Sequence, residues 1–175
     1  YVNFNNTRER NSASDMALEI AKLKKQNVDG LIVDLRNNGG GSLSKVVEIA
    51  GLFIKEGPVV QVRDAERNIQ VLSDTDSSTQ WDKPLVILIN ELSASASEIL
   101  AAAMQDYGRA IIIGSKQSYG KGTVQEMIDL NREIRNSSLG DLGAIKLTRQ
   151  KFYRINGGST QLKGVNSDVV SACCT

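Results

Sequence analysis

Residues 89 to 100 read "INELSASASEIL", with serines at alternate positions Ser93, Ser95 and Ser97 between an apolar run and a helix-like run. A hydroxyl at the point where a buried strand ends and a helix begins faces N–H groups that have no partner inside the helix. Such donors can stabilise developing negative charge, which makes Ser95 a candidate nucleophile. The same residues also fit a helix cap. In Ser95-Ala96-Ser97-Glu98 the serine caps the first turn and the glutamate reaches back. On this motif alone capping is the stronger reading. The chain contains no histidine, which removes Ser-His-Asp and Cys-His mechanisms and leaves acid–base work to a carboxylate, a lysine or a tyrosine.

A candidate base lies in "GSKQSYGKGTVQ", residues 114 to 125. The segment is close to a phosphate-binding loop, but its first glycine is one residue too far from Gly120-Lys121. Gly122 also stands where that loop needs Ser or Thr, so nucleotide binding is rejected. What remains is Lys121 between two glycines, with Gln125 four residues on. Along a strand such a pair shares a face but is separated by about 13 Å, so the two meet only where the chain bends. A lysine at its reference pKa of about 10.4 is no base; burial in an apolar site disfavours its charged form. A third motif, "DLRNNGGG" from Asp34 to Gly41, lets backbone N–H groups approach a ligand closely, or is merely a flexible strand-to-helix connection. A hydroxyl, a lysine and a glycine-rich donor site together suffice for acyl transfer without histidine.

These residues need a scaffold, and the apolar pattern supplies one. A helix is predicted over 14–27, a buried strand over 28–36 and a second helix from about Ser42. A hairpin follows over 57–72, then a polar loop over 73–80. "PLVILIN" (84–90) and "RAIIIG" (109–114) read as buried strands around a strong helix over 97–108. Segments 123–130 and 144–155 look like longer, more exposed strands. This alternation predicts an α/β layer fold with a mostly parallel central sheet and flanking helices.

The 175 residues are enough for one domain with its own core, and 41% apolar with 23% charged residues is ordinary for a globular protein. A net charge of +1 gives nucleic acid no electrostatic purchase, and no run reaches the roughly 20 apolar residues of a membrane span. The cysteines, Cys173 and Cys174, are adjacent, so they build no disulfide framework, and a structural metal site is not expected. The opening "YVNFNN" carries neither a methionine start nor a signal peptide and reads as the interior of a longer protein.

"DLRNNGGG", "SASASEILAAAMQDYGRAIIIG", "YGKGTVQ" and "QKFYRINGGSTQLKGVNSD" occur in that order between residues 28 and 168. The ordered set resembles the tail-specific, or C-terminal processing, serine peptidases. The resemblance implies a Ser–Lys peptidase on a crotonase-like, ClpP-related α/β core that occupies 1–175. It places the nucleophile on Ser95, the general base on Lys121 and the residue orienting that lysine on Gln125. The oxyanion hole falls on the N–H groups of Gly41 and Ala96, with Gly40 and Glu98 in support. No metal or cofactor is implied. The implied substrates are proteins with unstructured C-terminal tails, met in the bacterial periplasm or cell envelope. A PDZ domain, common in the family and not visible here, would lie elsewhere in the parent protein. Two other readings use the same fold: a non-catalytic module that binds peptides or apolar ligands, and a crotonase-like acyl-CoA enzyme.

Overall fold

The computed structural model describes residues 11–134 and 140–171. The opening hexapeptide and the pair Cys173-Cys174 lie outside the described residues. Helix α1 spans Ser12–Lys25 and starts earlier than its apolar pattern does. The cause is a cap: Asn11 Oδ1 accepts the N–H groups of Ala13 and Ser14 at 3.1 and 3.0 Å. Apolar periodicity cannot report such a start, because the first turn is Ser-Ala-Ser.

Strand β1 (Leu31–Asp34), helix α2 (Leu43–Gly51), β2 (Gly57–Arg63), β3 (Ile69–Asp74) and β4 (Leu85–Ile89) follow. Then come α3 (Ala96–Asp106), β5 (Ile111–Gly114), β6 (Thr123–Asp129), a short α4 (Leu130–Glu133), β7 (Ala144–Tyr153) and β8 (Val169–Val170). All but α4 and β8 overlap predicted segments, although β3 runs to Asp74, into the predicted polar loop; α4 and β8 span four and two residues, too few for any period to show.

Strands β1, β4, β5 and β8 form a parallel sheet in the order β1-β4-β5-β8. Here the α/β prediction holds. The remaining strands form a second sheet, antiparallel, in the order β3-β2-β7-β6. It is built from the predicted hairpin and from the two strands whose sequence reads as more exposed, as expected of a sheet with one face in water.

Helix α3 joins the two sheets, touching β5 of the first and β2 of the second. Its residues from Ala96 to Met104 are all buried, which a helix tolerates only when it is packed on every side. The alanines Ala101, Ala102 and Ala103 keep that packing close. Leu100 and Met104 of α3 share one core with the fully buried Phe53, Trp81, Ile87 and Phe152. Arg109, just after α3, donates to the carbonyls of Phe53, Trp81 and Lys83 at 2.9, 2.6 and 2.9 Å, tying the end of the helix to two loops.

Candidate active site

The parallel strands β1 and β4 end side by side, and the turns that leave them carry the glycine motif and the serines. Asn37 and Asn90 lock these turns together: the Asn37 N–H donates to Asn90 Oδ1 (2.9 Å) and Asn90 Nδ2 donates to Asn37 Oδ1 (2.8 Å). The Asn38 carbonyl accepts both the Ala94 N–H and the Ser97 hydroxyl at 3.0 Å. Ser93 is fully buried and its hydroxyl donates to the Leu35 carbonyl at 2.8 Å. The flanking serines of the triplet therefore hold the turn, and Ser95 between them is left for another purpose. At the strand's exit, hydrogen bonds from the Arg36 side chain hold the Asp34 carboxyl below its usual value, against a smaller opposing effect of burial.

Ser95 stands at the N-terminus of α3 with φ 58° and ψ −116°, a left-handed backbone that a serine adopts only under constraint. Ser95 and Glu98 have the reciprocal layout of a capping box, yet only the glutamate arm closes as a hydrogen bond, from the Ser95 N–H to Glu98 Oε2 at 2.8 Å; no side-chain cap runs from the serine. Gly40 fits against this turn at φ 97°, where an added Cβ would lie 2.7 Å from the Ala96 nitrogen. Only glycine leaves that donor uncovered. Among the described residues nothing accepts a hydrogen bond from the N–H of Gly41 or Ala96.

Lys121 reaches the same place from the loop that leads into β6 of the second sheet. One cavity of about 180 Å³ is lined by Ser95, Ala96, Gly41, Lys121, Thr123 and Gln125, with Leu43, Ile99, Val124 and Phe152 as its apolar floor. Binding pockets for small molecules generally occupy about 300–1,000 Å³, so this one suits a single side chain beside a reacting carbonyl. Lys121 lies before β6 and so outside the extended strand that carries Gln125, and beside Gln125 the β6–β7 pairing shifts register, with Arg149 of β7 as the extra residue. In this structure no hydrogen bond joins Lys121 Nζ to Ser95 Oγ.

The lysine's loop is anchored by the carboxylate of Glu98, which has no solvent exposure. Oε1 accepts the Ser118 hydroxyl at 2.6 Å and the Gly120 N–H at 2.7 Å, while Oε2 takes the Lys121 N–H at 2.9 Å beside that of Ser95. One side chain thus holds the serine turn and the lysine loop together. Ser118 was not singled out from sequence. It is 2% exposed and also accepts the Val165 N–H at 2.8 Å, and no local signal marks a serine three residues before a lysine. A serine freed from capping, two unoccupied N–H donors and a lysine on one cavity can carry acyl transfer, a chemistry of hydrolases on α/β scaffolds.

Comparison with known proteins agrees with that class. Residues 1–171 match the model of peptidase family S41, and the chain belongs to this family. It is 54% identical over 155 residues to the tail-specific protease of Haemophilus influenzae, covering 89% of this chain and 22% of that protein. It is 34% identical over 148 residues to the chloroplastic C-terminal processing peptidase of Tetradesmus obliquus, covering 85% of the chain and 30% of the relative. Among solved structures, the photosystem II D1 C-terminal processing protease superposes with a TM-score of 0.80 at 30% identity, over 97% of this chain and 40% of that one. The chain therefore spans under a third of the length of these two curated relatives, one bacterial and one chloroplastic.

Proposed function

We propose that the chain is the core of a serine endopeptidase that cleaves proteins from unstructured C-terminal tails through a Ser95–Lys121 dyad. The observation that carries this reading is the single cavity on which Ser95, Lys121, Gln125 and the free N–H groups of Gly41 and Ala96 converge. Lys121 in its neutral form takes the Ser95 proton as Oγ attacks the scissile carbonyl, and Gln125 orients the amine. The Gly41 and Ala96 N–H groups hold the resulting oxyanion, a contribution of about 3 kcal/mol per donor in comparable sites. The protonated lysine passes its proton to the departing amine, leaving an acyl-serine. Water, deprotonated by the same lysine, then frees the carboxylate product and restores Ser95. The sequence is complete without a metal or a cofactor.

The core is read as crotonase-like and ClpP-related, with 1–175 forming one peptidase domain and any PDZ domain carried elsewhere in the parent. The names of the relatives support tail-directed processing, and a periplasmic or envelope setting is inferred from the bacterial one. The rival reading, a non-catalytic module for peptides or apolar ligands, is favoured by one observation: the missing Lys121–Ser95 hydrogen bond. Dyad contacts are commonly long before substrate binds, and Lys121 already lines the serine's cavity. Incubating the full-length protein with a substrate bearing an unstructured C-terminal tail decides between them. Ser95→Ala and Lys121→Ala are each expected to lower kcat by at least about 10³-fold; undiminished cleavage by either variant sinks the dyad.

A further inference from the structure

A second cavity adjoins the first at Lys121. It shares Lys121, Thr123 and Gln125 and touches Gly39 and Ala94 beside the serine turn, but contains neither Ser95 nor the two free N–H donors, and Tyr119, Gly120, Gln161 and Leu162 complete its wall. The scissile carbonyl must sit in the first cavity, beside Ser95 and the oxyanion donors. The amine on its other side receives its proton from Lys121, so the leaving chain departs past the lysine and into the second cavity. This assignment of sides rests on the proposed dyad.

Two residues of that wall are apolar and unusually bare: Tyr119 is 62% and Leu162 82% exposed. An isolated exposed apolar residue needs no explanation, but these two share the mouth of one cavity. Leu162 also has a φ of 63°, a conformation that glycine or asparagine adopts far more readily than leucine. Its backbone is pinned there. The Leu162 N–H donates to the Gly120 carbonyl at 2.8 Å, and Gly120, at φ 91°, has Leu162 backbone atoms 3.1 Å from where its Cβ would stand. A strained leucine that buries little contributes nothing to the core, and strain of this kind persists where a side chain is used.

We propose that Tyr119 and Leu162 form a subsite on the leaving-group side that selects an apolar residue immediately after the scissile bond. The test uses the full-length protein and two unstructured tail peptides that differ only in having leucine or serine at that position, with the fragments identified by mass spectrometry. The native protein is expected to cleave the leucine peptide with about tenfold higher kcat/KM, the scale of discrimination that an apolar pocket supplies. Leu162→Asn and Tyr119→Ser should each reduce that ratio towards about two. Asparagine suits the left-handed backbone, so Leu162→Asn is expected to match or exceed the native denaturant midpoint, which separates lost selectivity from lost fold. Ser95-dependent cleavage with no preference, or a preference that survives both substitutions, overturns this subsite alone. Absence of any Ser95-dependent cleavage overturns the peptidase reading and the subsite with it.

Discussion

Glu98 shows how much one side chain can organise. Each of its oxygens takes two donors, Oε1 from Ser118 Oγ and the Gly120 N–H, Oε2 from the N–H groups of Ser95 and Lys121. A carboxylate is the one side chain of this length that only accepts. In Glu98→Gln the amide nitrogen must face one of these pairs, and at least one backbone N–H, that of Gly120 or those of Ser95 and Lys121, then meets another donor. Buried hydrogen bonds to a charged group contribute about 1.5–3 kcal/mol each, and an unmatched buried donor adds its desolvation cost. Glu98→Gln is therefore expected to destabilise the fold by about 3–5 kcal/mol and to lower kcat by at least about 100-fold in the molecules that remain folded. Urea titration and active-fraction-corrected turnover measure both. Native turnover in the folded fraction would mean that Glu98 serves stability alone.

At the level of elements, the site is a junction of two turns and two loops, and they differ in how far sequence reveals them. The strands β1, β4 and β5 and the helix α3 are legible as elements from their apolar runs, but the expected burial of β1 and β5 is not met: Ile32 and Ile111 face outward at 65% and 52% exposure. Ser95, Ala96, Gly41, Lys121 and Gln125 are legible as candidates because motif order places them, and the structure brings all five to one cavity. The start of α1, the bulge in β7 at Arg149, Ser118 and the second sheet's seat on α3 are not legible, since each depends on partners distant in the chain. The clamp on the lysine loop belongs to this group. Segment 157–164 returns to residues 120–122 with a Leu162 N–H to Gly120 carbonyl bond (2.8 Å), a Thr160 hydroxyl to Lys121 carbonyl bond (3.3 Å) and a Gly122 N–H to Gln161 Oε1 bond (2.8 Å). Gln161→Ala removes only the last. It is expected to cost about 1 kcal/mol of stability, to speed amide exchange at Gly122 and to lower kcat several-fold through a looser lysine. Unchanged exchange at Gly122 would show that the other two bonds hold the loop without it.

Across the whole molecule, the proposed nucleophile follows a strand of the parallel sheet and the proposed base precedes a strand of the antiparallel one, so their alignment depends on how the sheets seat against α3 as well as on the Glu98 carboxylate between them. Apolar packing around Phe152 and Leu100 supplies area but little direction. Direction comes from Arg154, which immediately follows β7 and grips the last residue of α3: Nη2 and Nε donate to the two oxygens of Asp106 at 2.6 and 3.0 Å. Nη2 also reaches Gln105 Oε1 at 3.0 Å, and Asn156 Nδ2 donates to Asp106 at 2.9 Å. The pair is largely buried, with side-chain exposures of 18% and 8%, and its two-pronged form fixes angle as well as distance. An aspartate at a helix C-terminus is opposed by the helix dipole, so Asp106 is tolerated there through its partner. Arg154→Leu strands that carboxylate and is expected to cost about 3–5 kcal/mol. The double variant Asp106→Asn/Arg154→Leu should recover part of this, because no buried charge is left unpaired. Turnover should not recover with it: the apolar core can hold the sheets together without holding them in one orientation, and Lys121 would lose its approach to Ser95. Equilibrium unfolding of the three proteins, with kcat corrected for folded fraction, separates the two effects. A double variant that regains both stability and native turnover would show that the core alone seats the sheets.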